Sequence, residues 1–65
     1  MNKYYKLLIL FSEDTQNTRK RLLKIIPPDI LDEALSKKYI VQCGTTDIGD
    51  ALYSITALGK KVRDE

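Results

Sequence analysis

The segment between residues 39 and 59 limits the possible folds of this chain more than any other feature. It contains two runs rich in β-branched and aromatic residues, 39–43 and 51–56, and these residue types are favoured in strands. Residues 44–50 lie between the runs and include two glycines and two aspartates, which are typical of turns. The pattern predicts a β-hairpin, after which Thr56 can cap a short final helix over residues 57–63.

The chain has 65 residues, a length that predicts one domain over residues 1–65 and is too short for two. A domain this small buries only ~60% of the surface that its unfolded chain exposes. Hydrophobic residues make up 43% of the chain and charged residues 31%, which is typical of a globular protein rather than a disordered one. A domain of this size must pack well or associate with a partner to be stable.

A first helix is predicted from Asn2 to about Ser12, because apolar residues recur there at spacings of three and four. They are Tyr4, Leu7, Leu8 and Phe11. The same run is also compatible with a strand. Further apolar residues lie around this helix, namely Tyr5, Ile9 and Leu10. The helix therefore either lies centrally in the domain or contacts another subunit.

A second helix is predicted from Thr18 to Ile26, after a polar loop over residues 13–17, with Thr15 or Thr18 as its cap. Four apolar residues are expected to face the core: Leu22, Leu23, Ile25 and Ile26. Four cations are expected to lie largely outside: Arg19, Lys20, Arg21 and Lys24. They form the one concentrated basic patch of the sequence.

Pro27 and Pro28 end the second helix, and Pro28 suits the first turn of a third. This third helix is predicted from Pro28 to Lys38. Its inward residues would be Leu31, Ala34 and Leu35, with Ile30 beside them. Acidic residues precede basic ones along it, as the helix dipole favours.

Alternation along the two predicted strands assigns their faces. The face packed on the helices would carry Tyr39, Val41 and Cys43 from one strand and Ala51, Tyr53 and Ile55 from the other. The outer face would carry Ile40, Gln42, Leu52 and Ser54. Cys43 is accordingly expected to be a small buried residue.

Two local patterns resemble those of a known family. The sequence Tyr53-Ser54-Ile55-Thr56-Ala57-Leu58-Gly59 is similar to the Tyr-x-Leu-Thr-x-x-Gly sequence that closes the wing in many bacterial and phage winged-helix regulators. The run from Ala34 to Ile40 resembles the end of a third helix entering the wing, although Lys38 stands where glycine is common. The resemblance implies an α+β fold: a three-helix winged helix-turn-helix with a C-terminal two-stranded β-hairpin wing and a short final helix.

The resemblance implies a small protein that binds double-stranded DNA, a transcriptional regulator or accessory factor. The basic residues of the second helix would contact phosphates, and further contacts are expected near the third helix and the wing. The candidate DNA-binding residues are Arg19, Lys20, Arg21, Lys24, Ser36, Lys37, Lys38, Thr45 and Thr46. The third helix enters the major groove in DNA-binding members of this class, but here it carries Asp29, Asp32 and Glu33.

The alternative is a protein–protein interaction module on the same scaffold, without DNA binding. It is favoured by the acidic third helix, by Asp47 and Asp50 in the hairpin loop, and by the surplus apolar residues of the first helix and the outer hairpin face. The same surplus favours a homodimer.

Other functions lack the residues they need. The chain has no histidine and one cysteine, so it offers neither a usual zinc site nor a nucleophile with a recognisable base; we expect no enzyme activity and no cofactor. Asp47 and Asp50 supply too few oxygens for calcium. The apolar run of residues 7–11 is too short for a signal peptide or a membrane span, which favours a cytoplasmic protein.

Overall fold

A computed structural model describes residues 2–12 and 15–65 of the chain, which form four helices and a three-stranded antiparallel sheet. The elements are α1 (Tyr5–Leu8), β1 (Asn17–Thr18), α2 (Arg19–Leu23), α3 (Pro28–Ser36), β2 (Ile40–Thr45), β3 (Ala51–Ile55) and α4 (Ala57–Asp64). The predicted α+β class is confirmed. The sheet order is β1-β3-β2, so the expected hairpin gains a third strand and β2 lies at an edge.

One cluster of buried side chains joins α1, α2, α3 and the sheet: Tyr4, Leu7, Leu8, Phe11, Leu22, Ile26, Leu31, Ala34, Ile40 and Tyr53. All four residues expected to form the inner stripe of the first helix are in it. The regular helix is only four residues long, however, and not the predicted span from Asn2 to Ser12. Turns on either side of α1 keep Tyr4 and Phe11 in the core.

The helix α2 begins at a side-chain cap, since Thr18 Oγ1 accepts a hydrogen bond of 3.2 Å from the N–H of Arg21. It ends at Leu23, three residues before the predicted end. Leu22 and Ile26 face the core as expected, but Leu23 and Ile25 are exposed. The prediction for these two was wrong, because the short α2 turns a single side toward α3 and the sheet.

The strand β1 was not predicted, and Asn17 had been placed in a loop. Asn17 pairs with Tyr53, and Thr18 pairs with Leu52. The side chain of Asn17 is 3% exposed, and its Nδ2 donates a hydrogen bond of 3.0 Å to the carbonyl of Leu10. Residues 13 and 14 of the predicted loop lie outside the described part of the chain.

The predicted faces of the first hairpin strand are wrong for Ile40, Val41 and Cys43, whereas Tyr39, just before β2, packs against the core as predicted. Ile40 is fully buried, whereas Val41 and Cys43 are exposed. Ile40 and Val41 lie before the bulge at Cys43, which falls between Gln42 and Gly44, so the left-handed turn at Lys38 determines which of the two side chains faces the core. The prediction for β3 was correct, since Tyr53 is buried and both Ala51 and Ile55 pack against the core.

The junction of α3, β2 and α4 forms what we call the hairpin base (residues 38–40 and 55–59). Lys38 follows the C-cap of α3 with φ of 65°, and the N–H groups of Lys38 and Tyr39 donate to the carbonyls of Leu35 and Ala34. This pair of bonds is a Schellman motif, in which glycine usually occupies the left-handed position. In this chain a lysine occupies that left-handed position.

Thr56 and Gly59 tie α4 to this base. Thr56 Oγ1 lies 2.6 Å from the carbonyl oxygen of Lys38 and accepts a hydrogen bond of 2.9 Å from the N–H of Gly59, which confirms the predicted cap. A methyl group at Gly59 would overlap the carbonyl oxygen of Tyr39 and crowd Ile55. The glycine of the Tyr-x-x-Thr-x-x-Gly spacing therefore lies where α4 closely approaches the start of β2.

Candidate nucleic-acid interface

Three cations on the outer side of α2 are exposed: Lys20, Arg21 and Lys24. They lie opposite Leu22 and Ile26, whose burial fixes the orientation of the helix. None of the three forms an ion pair with a described carboxylate. Lys24 lies four residues after Lys20 and three after Arg21, and such spacings keep side chains adjacent on a helix. The three residues therefore form a small basic surface, here called the α2 cation group.

Arg19 does not belong to this group, although it is next to it in the sequence. Its guanidinium donates to the hydroxyl of Tyr53 at 3.2 Å and to the carboxylate of Asp32 at 3.1 Å. These contacts, the one to Tyr53 first, raise the pKa of Arg19 above its ordinary value. Arg19 thus joins α2 to α3 and β3, and its charge is paired with a carboxylate of the same chain.

The carboxylates of α3 are partly neutralised by other parts of the chain. Asp32 accepts from Arg19, and Glu33 forms an ion pair of 2.7 Å with Lys3. Glu33 also accepts a hydrogen bond from the hydroxyl of Tyr4, and the bonds from Lys3 and Tyr4 lower its pKa. The third acidic residue of α3, Asp29, makes no ion pair with a described residue. It lies in the first turn of α3, where the helix dipole favours a negative charge.

Three other predicted contact residues lie at the opposite end of α3: Ser36, Lys37 and Lys38. All three are exposed. The ammonium of Lys37 lies 5.9 Å from the centre of the Tyr4 ring, within the range of a cation–π contact. These three residues belong to the C-terminal end of α3 and the turn that follows it, whereas the α2 cation group belongs to α2 and its C-cap.

Thr45 and Thr46 lie where β2 enters the loop of the hairpin. Thr45 is exposed, but Thr46 supports the loop: its Oγ1 accepts from the N–H of Asp50 at 3.1 Å and its own N–H donates to the carbonyl of Asp50 at 2.8 Å. Asp50 Oδ2 in turn accepts from the N–H of Lys20 at 3.2 Å. This chain of hydrogen bonds brings Thr46 close to the start of α2. The sequence analysis predicted only a turn role for Asp50 and missed this link.

The outer part of the hairpin, here called the arm (residues 41–52), has a different surface. No lysine or arginine occurs between residues 39 and 59, and no residue of the arm is buried. Ile48, at the tip, is 83% exposed. Gly49, with φ of 84°, donates to the carbonyl of Thr46 at 2.9 Å and closes the turn beneath it. The arm thus presents an isoleucine in an ordered turn.

The described residues lack the features of several other kinds of site. They contain no cluster of three or more carboxylate or thiol groups close enough to hold a metal ion, and no pocket. None of their helices combines the length and apolar character needed to cross a bilayer.

Comparison of the chain with protein-family models, with curated proteins and with solved structures gives no match.

Proposed function

We propose that this protein is a small winged-helix domain that binds double-stranded DNA through the α2 cation group, as a regulator or accessory factor of transcription. The observation that carries this proposal is the state of Lys20, Arg21 and Lys24. Their side chains are exposed, lie on one side of α2 and form no ion pair with a described carboxylate. The carboxylate of Asp50 bonds to the backbone N–H of Lys20 and not to its ammonium. Phosphates are natural partners for such a group.

The arrangement of elements supports the winged-helix part of the proposal. Three helices precede the β2–β3 hairpin and a fourth follows it, which is the order that the family resemblance implies. The Thr56 cap, the contact at Gly59 and the left-handed residue at position 38 all lie where the two resembling patterns are.

The internal ion pairs support DNA binding by reducing repulsion. With Asp32 held by Arg19 and Glu33 held by Lys3, a phosphate near α3 meets less uncompensated negative charge than the sequence suggests. The arm offers no cation to a phosphate. Contacts would therefore be concentrated on α2, with Ser36, Lys37 and Lys38 as the nearest candidates on α3.

The test is the salt dependence of binding to a labelled duplex, followed by fluorescence anisotropy. We expect a double substitution, Lys20→Gln with Lys24→Gln, to weaken binding and to reduce the slope of log K against log salt by about 2, since each phosphate contact contributes about 0.9. Arg19 is left unchanged because its loss would disturb the contacts to Tyr53 and Asp32.

The matched control is Lys6→Gln with Lys61→Gln, which also removes two positive charges, but from exposed positions on α1 and α4. We expect the control to keep the wild-type slope. Equal slopes for both double variants would mean that only net charge matters, and absence of binding at low salt would contradict the proposal.

A second function, a protein-interaction module that does not bind DNA, is favoured by one observation. The arm exposes Ile48 and Val41 and contains no cation. If no duplex binds at low salt, this function is the one that the structure supports.

A further inference from the structure

We infer that two copies of this chain associate through the outer edge of β2, by antiparallel strand pairing about a twofold axis near Val41. The inference does not depend on the proposed DNA binding. It rests on three properties of the arm: an open strand edge, the absence of charge on that strand, and an exposed apolar side chain on it.

The edge of β2 is open because the sheet order is β1-β3-β2. β2 pairs with β3 on one side, and no described strand pairs with its other side. Four of its five residues after Ile40 are exposed, and the other is half-buried. An unpaired edge of this kind presents a row of N–H and carbonyl groups that can accept a further strand.

The sequence of β2 lacks the usual protection of an edge strand. Natural sheets commonly place lysine, other charged residues or proline on such edges, but the six residues of β2 are Ile-Val-Gln-Cys-Gly-Thr. Its one irregularity is the bulge at Cys43. The regular part before the bulge, residues 40–42, is therefore the segment open to pairing, and Val41 is its midpoint.

The partner that these properties favour is a second copy of this chain. In antiparallel pairing about a twofold axis, the unpaired N–H and carbonyl groups of one edge bond to those of the other. The absence of cations from residues 39–59 removes the like-charge repulsion that the basic α2 surface would produce. Val41, which is 38% exposed, would meet its copy across the axis and bury apolar surface.

The contact is expected to be weak. A stable interface at the small end of the usual range removes about 600 Å² from each partner, which is about a seventh of the 4229 Å² surface of this chain. Pairing of one short strand covers less than this. We therefore expect a dimer that dissociates in the micromolar range and that sedimentation velocity detects over a concentration series.

The experiment compares wild type with Val41→Lys and Val41→Glu, each checked for folding by circular dichroism. Like charges placed opposite each other should weaken association by about tenfold or more, so each variant alone should sediment as a monomer. An equimolar mixture of the two should recover the dimer, because opposite charges then meet across the axis.

The control is Ile9→Lys, which replaces another exposed apolar residue, 43% exposed, outside the arm; it should leave the dimer intact. The native Cys43 gives a second measurement. With Val41 on the axis, the two Cys43 α-carbons lie about 14 Å apart, from a rise of about 3.4 Å per residue and a strand spacing of about 4.8 Å. A long bismaleimide should join them in wild type and not in Val41→Lys.

Three outcomes would overturn the inference. They are a wild type that stays monomeric throughout the series, dissociation by Ile9→Lys to the same extent as by Val41→Lys, and a charge-swapped mixture of folded variants that remains monomeric. The second outcome would place the dimer contact on α1 instead.

Discussion

The two ends of the β2–β3 hairpin have the same strands but opposite environments. At the base, Ile40 is fully buried and the backbone of Tyr39 contacts both Thr56 and Gly59. On the arm no side chain is buried, and Ile48 is 83% exposed. The two ends therefore have different roles. The base holds the domain together, whereas the arm, which is anchored through Leu52 and Asp50, leaves its edge strand and its tip exposed.

The largest loss of stability is expected from Ile40→Ala at the base. Removing a fully buried isoleucine side chain costs about 2–5 kcal/mol, against a total stability of about 3–10 kcal/mol for a chain of this length. Urea denaturation at low temperature measures the change. A loss below about 1 kcal/mol would mean that the base is not part of the core.

A somewhat smaller loss is expected from Gly59→Ala. The added methyl group would overlap the Tyr39 carbonyl and Ile55, so α4 must move away from the base at a cost of about 1–3 kcal/mol. The same substitution at Gly44, where a Cβ would meet nothing within 4 Å, is the control. Equal thermal shifts for the two variants would contradict the close approach described for α4.

A gain in stability, instead of a loss, is expected from Lys38→Gly. Lysine occupies the left-handed conformation at this position, and glycine would relieve a strain of about 1 kcal/mol. The melting temperature should therefore rise. Lys37→Gly, one residue earlier at the C-cap with φ of −82°, should give no such gain, and a fall in melting temperature for Lys38→Gly would contradict the strain at this site.

The smallest effect is expected at the tip of the arm. Ile48→Ser should change the free energy of unfolding by less than about 0.5 kcal/mol, because the side chain has few contacts to lose. Chemical denaturation beside the Ile40 variant measures the contrast directly. A loss as large as that from Ile40→Ala would erase the distinction between base and arm.

The sequence predicted best those features that depend on neighbouring residues. The start of α3 at Pro28, the cap at Thr56 and the buried residues Leu7, Leu31 and Tyr53 were predicted, since helix periodicity and capping are local. For the cap of α2, the structure selects Thr18 from the two predicted alternatives, Thr15 and Thr18. The likeness to a family pattern also indicated the Thr56–Gly59 spacing, whose physical cause is the contact with Tyr39.

Features that depend on distant contacts were missed. β1 has two residues, too few for a periodic pattern, and it exists because Asn17 and Thr18 pair with β3. The prediction of which β2 side chains face the core was wrong because Ile40 and Val41 are both apolar, so alternation alone does not decide which of them is buried. The left-handed turn at Lys38, just before the strand, decides it. At the candidate site, Arg19 could not be separated from Lys20 by sequence, since its partners Tyr53 and Asp32 lie far along the chain.

The hydrogen bonds at the base have a consequence for how this chain tolerates change in length. Thr56 is fixed to the carbonyls of Lys38 and Tyr39, so the two strands of the hairpin are held together at the base whatever the length of the turn that joins them at the tip. Extending a loop that is already closed costs little, about 0.6 kcal/mol for each doubling of its length. Insertions at the tip should thus be accepted without unfolding the body, which makes the turn around Ile48 the natural place to graft a new recognition sequence.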